Sequence, residues 1–123
     1  MTTIELAPFF RSVLEQDRTS VVLCDLEHTI IYMNPAAIRR NHGNLVGRSL
    51  KACHNPRSCE IIDRVVAWFA ADPAHNLVYT YKNTKENKDV YMVALRDGDG
   101  TLIGYYEKHE YRDTETMKLY DME

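Results

Sequence analysis

The chain has 123 residues, a formal net charge of −3 and 45% apolar residues. That length supports one domain with one real core and excludes two. No basic stripe is present for nucleic acid, and no apolar run has membrane-spanning length or the pattern of a signal peptide. Cys24, Cys53 and Cys59 form no disulfide framework, so a reducing cytoplasm with free thiols is the expected setting, and Met1 reads as a native start.

Leu6, Phe9, Phe10, Val13 and Leu14 recur at helical spacing opposite Arg11, Glu15 and Gln16, which predicts an amphipathic helix over residues 3–16. Its broad stripe has to pack on something. Two readings stand side by side: it covers the open face of its own sheet, or it pairs with the same helix of a second chain. Residues 20–25 and 29–33 read as strands parted by Asp25-Leu26-Glu27-His28. Asn34-Pro35 then opens a helix, with asparagine as the cap and proline in the first turn, and Arg39-Arg40-Asn41-His42-Gly43 closes it.

Residues 45–56 read as irregular or as short helical turns. Ser58 is the expected cap of a longer helix that runs to about Ala71, with Ile61, Ile62, Val65, Val66 and Phe69 at the helical period. The remainder alternates as strands. Leu77, Tyr79 and Tyr81 alternate with Val78, Thr80 and Lys82, and Val90, Met92 and Ala94 alternate with Tyr91, Val93 and Leu95. Asp99-Gly100 supplies hairpin turn chemistry, and the last strand spans about Leu102 to Tyr111. The mixed charges of residues 82–89 and 108–115 read as solvated turns and tail. Most of the eight tyrosines read as strand formers.

The element order predicts an α+β domain: a five-stranded antiparallel sheet with a helical insert on one face, plus the N-terminal amphipathic helix. The expected division is residues 1–17 for that helix, 18–114 for the domain and 115–123 for a tail. An insert folded across one sheet face leaves room for a small-ligand cavity.

Several segments carry a family resemblance. Asp25, Ile30-Ile31-Tyr32-Met33, Asn34, Ala36 and Ala37 resemble the opening pattern of a PAS domain, with His28 where that family often has glycine. Gly47-Arg48-Ser49-Leu50 resembles its glycine-containing segment before the central helices, and Arg96-Asp97, Asp99-Gly100 and Gly104 resemble its closing hairpin. Asp113-Thr114 partly resembles its terminal Asp-Ile-Thr signature. Leu50-Lys51-Ala52-Cys53-His54-Asn55-Pro56 resembles the Cys-His-Pro-Pro segment of a bacterial PAS subgroup, with Asn55 for the first proline.

The resemblance implies a sensor or signalling module; Cys53 beside His54 in sequence does not make a nucleophile–base pair with an orienting third group, so no enzyme is expected. A ligand held between sheet and helices would be relayed through dimer or partner contacts. The expected homodimer surface is Leu6, Phe9, Phe10, Val13 and Leu14, and the output would lie in a separate protein. By the same resemblance Cys24, Val90, Met92, Ala94 and Tyr106 would point inward, around a mainly apolar pocket suited to a flat or apolar organic ligand. A fully packed core with no ligand stands against that reading.

Cys53-His54 with Cys59 is the most chemically loaded cluster, because imidazole and thiolate bind soft and borderline metals and haem iron. A haem or thiol redox sensor centred on His54 and Cys53 is therefore the second functional reading, and a ligand-free interaction adaptor is the third. In the plainer reading, His54 bonds local backbone and the cysteines pack as small hydrophobes. The cofactor itself stays unassigned. The residues around Cys53 do not match the Asn-Cys-Arg-Phe-Leu-Gln motif of flavin photoreceptors.

Overall fold

The computed structural model describes residues 1–121. Helix α1 (Thr3–Glu15) is followed by strands β1 (Val22–Asp25) and β2 (Ile30–Met33), helix α2 (Pro35–Arg40) and a 3-10 turn (Leu50–Cys53). Helix α3 (Pro56–Ala71) then leads to β3 (Leu77–Asn83), β4 (Lys88–Arg96) and β5 (Leu102–Tyr111). The five strands form one antiparallel sheet in the order β2-β1-β5-β4-β3. The expected fold class is the observed one. The last two tail residues lie outside the described residues.

The core lies between the inner sheet face and α3. Phe69 and Ile62 of α3 pack with Cys24, Ile30, Met92 and Tyr105, all nearly inaccessible to water. Burying each large apolar side chain contributes about 1.5–3 kcal/mol. Arg96 fastens the C-terminal end of α3 to the sheet. Its guanidinium donates to the carbonyls of Phe69 at 2.7 Å and Asp72 at 3.2 Å, which the helix end leaves unpaired, and to that of His75 in the following loop at 3.1 Å.

Asn34 is fully buried and ties three elements together. Its Oδ1 accepts from the backbone of Val21 and Ala37, each at 2.9 Å. Its Nδ2 donates to the carbonyls of Leu14, Asp17 and Thr19. The same Asn-Pro device starts α3. Asn55 caps that helix by accepting from Ser58 N at 2.8 Å, which corrects the expected cap at Ser58. Proline at the first helical position needs no N–H partner, so Asn55-Pro56 repeats the grammar of Asn34-Pro35.

Helix α1 does not cover the sheet. None of its residues is buried, and Ile4 and Val13 are 86% and 70% exposed. It touches the domain near its C-terminal end, where Arg11 lies over the Tyr32 ring at 5.6 Å and Leu14 meets Asn34. No described helix is long and apolar enough to cross a membrane.

Candidate functional site

Strand register decides which side chains face the helices. Cys24 lies opposite Tyr105, Tyr105 opposite Ala94, Met92 opposite Glu107 and Val90 opposite His109. Tyr105, Glu107 and His109 therefore share the inner face of β5 with Cys24, Val90, Met92 and Ala94 as neighbours. Tyr106 pairs with Leu23 and Val93 and lies on the other face, which corrects the expectation that it points inward. The cause is local. Arg96 pairs with Leu102 but Leu95 pairs with Gly104, so Ile103 is an extra residue, a bulge that shifts every later side chain of β5 by one.

Two adjoining cavities, of about 290 and 220 Å³, lie between this face and the helical insert. Both are lined by Arg40 from the end of α2, His54 from just beyond the 3-10 turn, and Glu107 and His109 from β5. The larger also takes Lys88, Val90 and Met92 from β4 and Ile61 and Ile62 from α3. Cys24, Cys53 and Tyr105 line the smaller, while Ala94 packs against the core beside it. The lining is apolar over the larger part of its surface, as expected, and Arg40, Lys88, His54, Glu107 and His109 add charged and polar groups to it.

Glu107 sits between two imidazoles. His54 Nε2 is 3.8 Å from Glu107 Oε1 and His109 Nε2 is 3.9 Å from Oε2, both too long for hydrogen bonds. His54 Nδ1 lies 3.0 Å from the Leu50 carbonyl. That contact puts the ring proton on Nδ1 in the neutral tautomer and leaves Nε2 as an acceptor facing a carboxyl. His109 Nδ1 is buried with no partner among the described residues. Burial pushes the Glu107 carboxyl above its usual range, against the pull of His54 and Lys88. Burial, with Lys88 and Arg40 nearby, lowers His109 to about 4.

Lys88 is only 3% exposed, so it is not the solvated turn residue its neighbours suggest. Its Nζ stands 3.2 Å from Glu86, which Arg40 also grips at 2.8 and 3.0 Å. Those two cations, Arg40 foremost, hold the Glu86 carboxyl down to about 2.

Behind Tyr105, which lines the smaller cavity, His28 adopts a positive φ of 67°, a conformation glycine adopts at no steric cost. In exchange its Nδ1 reaches the Tyr105 hydroxyl at 2.7 Å, and its Nε2 lies 3.4 Å from Asp63 of α3, which also holds Lys51 at 2.6 Å. This latch joins the first hairpin, the sheet, the 3-10 turn and α3. Burial pushes the Cys24 thiol up to about 11, so it stays protonated and packs as an apolar group. Cys53 is exposed and Cys59 partly so.

The fold matches solved structures closely enough to name it. A PAS domain from Colwellia psychrerythraea superposes with a TM-score of 0.65 at 12% identity, over 87% of this chain and 97% of that one. The chain has the PAS fold. An RNA-binding light-oxygen-voltage receptor matches with a TM-score of 0.64 at 16% identity, over 90% of this chain but only 34% of the receptor. The Aer2 receptor of Vibrio cholerae, a dual PAS-haem oxygen sensor, matches with a TM-score of 0.51 at 19% identity, over 74% of this chain and 91% of that one. No protein-family model matches the sequence, and no curated protein matches it.

Sequence reasoning nominated Cys24, Cys53, His54, Val90, Met92 and Ala94, and these do gather around the cavities or the core beside them. It missed Arg40, Lys88, Tyr105, Glu107 and His109. The alternation of Tyr105, Glu107 and His109 was the available signal, and it becomes readable once the bulge at Ile103 is known.

Proposed function

We propose that this PAS domain is a sensor module that takes a small polar ligand into the larger cavity and relays its presence through α1 to a second copy of the chain or to a separate output protein. One observation carries the reading. Glu107, His54 and His109 line one cavity; no described residue hydrogen-bonds to Glu107 or to His54 Nε2, and His109 Nδ1 is buried without a partner among them. A buried polar atom such as His109 Nδ1 is normally paired, and a concave site with a few polar groups free to bond a guest is where a small ligand is expected. The tie from Asn34 to the end of α1 offers the route outward. Receptors among the PAS structures it resembles support the sensing role by analogy only.

Met92→Trp tests the ligand half by filling the larger cavity. Mass spectrometry of the native protein should find a copurifying small molecule that this variant lacks. A wild-type protein that carries nothing, binds nothing and behaves like the filled variant would favour the ligand-free adaptor instead.

The haem reading has one favourable feature, since the His54 Nδ1 contact with Leu50 is how metal-binding imidazoles are commonly held. The site nevertheless does not fit haem. An iron on Nε2 would lie against the Glu107 carboxyl 3.8 Å away, and the flat apolar macrocycle would meet Arg40 and Lys88. The thiol version rests on Cys53 alone.

A further inference from the structure

We propose that the ligand of the larger cavity is a small zwitterion of the α-amino acid class, with its carboxylate toward Arg40 and Lys88, its ammonium on Glu107, and a short apolar side chain against Ile61, Ile62 and Met92. This rests on the sensor reading above and adds the chemical class.

The wall's charges select the class. Arg40 and Lys88 are its two fixed cations, and Glu107 is the one carboxylate among its lining residues. Among the described residues Glu86 is the one carboxylate that pairs with Arg40 and Lys88, and their other shared neighbour, Tyr111, is neutral, so that end keeps a surplus of positive charge. A simple amine drawn to Glu107 would be repelled by this pair, and a simple carboxylate drawn to the pair would face Glu107. In a partly desolvated site an unmatched charge costs several kcal/mol, so a molecule with both charges a few bonds apart is favoured over either half.

The acceptors agree. No described residue donates a hydrogen bond to Glu107, so both of its oxygens are open to a guest that carries several N–H groups, as an ammonium does. Size agrees as well. About 290 Å³ is at the lower end of small-molecule sites, roughly 300–1,000 Å³. It suits an amino acid and is tight for a nucleotide or flavin.

The test uses three probes with one carbon skeleton on the full chain: L-leucine, isoamylamine, which lacks the carboxylate, and isocaproate, which lacks the ammonium. Glycine, L-alanine, L-valine and L-methionine extend the series. By calorimetry the best amino acid should bind at least about tenfold more tightly than either half-molecule, a gap worth about 1.4 kcal/mol. Glu107→Gln should weaken that amino acid and isoamylamine but spare isocaproate, and Arg40→Met should do the reverse. Thermal unfolding confirms that each variant is folded, and the probe series on wild-type protein needs no variant.

Isocaproate or isoamylamine binding as tightly as the best amino acid would overturn the class. So would a copurifying molecule that lacks an ammonium–carboxylate pair and is expelled by Met92→Trp, though that result would leave the sensor reading standing. No binding by any probe together with no copurifying molecule would overturn both.

Discussion

His109 brings an imidazole into a wall that already holds Lys88 and Arg40, and the consequence is a stability that depends on pH. Its folded pKa is lowered to about 4 from an ordinary 6.5. Between those values the unfolded chain binds a proton that the folded chain refuses, so stability falls as pH drops through the window from 6.5 to 4. The full effect is about 3 kcal/mol. Glu107 acts with the opposite sign: its raised pKa adds stability in acid that is lost as pH rises. Urea denaturation of wild type and His109→Leu at pH 7 and pH 4.5 separates them, because Glu107 is common to both. The wild type should lose more stability than the variant on acidification, and parallel losses would refute this account. Asn34 offers a second measurement. Five hydrogen bonds meet on its fully buried amide, and Asn34→Ala leaves several backbone groups unpaired, an expected loss of about 3 kcal/mol. A loss below about 1 kcal/mol by chemical denaturation would mean that water replaces the amide.

At the scale of elements, β5 owes its place to Gly104. A Cβ there would stand 2.2 Å from the Cys24 carbonyl oxygen of β1, a backbone atom that can move only if the strand pair parts. Gly104→Ala should therefore cost about 3 kcal/mol or more, read as a lowered midpoint in chemical denaturation. Gly98→Ala, with open space around it, is the control that should stay near wild type. This neighbourhood also shows what the sequence could reveal. The turn at Asp97–Thr101, closed by bonds from Asp97 N to Thr101 O and Gly100 N to Asp97 O, is written in local residues. The bulge at Ile103 is not, because it arises from how β5 meets β4 and β1 together. Counting strictly from the turn sets Met92 opposite Tyr106, where the sheet sets it opposite Glu107. The strands and helices were thus legible from periodicity and capping, while the faces of β5 were not. Lys88 was illegible for a related reason: in a run of charges it reads as solvated, and only the tertiary meeting of Glu86, Arg40 and Tyr111 gives it a buried place.

For the whole molecule the open question is what α1 does with a bare apolar face. A helix of 13 residues is marginal on its own in water, since isolated helices below roughly 12–15 residues lack the propagation to offset nucleation. The Thr2–Glu5 capping box contributes about 1 kcal/mol, too little to hold it without packing. Yet Ile4, Phe9, Phe10 and Val13 are all more than half exposed. An apolar stripe left bare on one helix calls for a cover, and on the proposed reading the same helix of a second copy would supply it. The arrangement also gives the cavity a mechanical link to that cover. Arg40 closes α2 at the cavity wall, Asn34 opens α2 at the other end, and Asn34 in turn holds the last turn of α1. On the proposed reading, a ligand that draws on Arg40 would pull on one short helix that is pinned to α1. Sedimentation velocity should find wild type dimeric and the double variant Phe9→Glu, Val13→Glu monomeric, with unchanged ligand affinity in the variant if the helix serves only as the output. A wild type that stays monomeric at high protein concentration would remove α1 from the dimer role, and a variant that loses the ligand with the dimer would mean that the second copy helps to close the cavity.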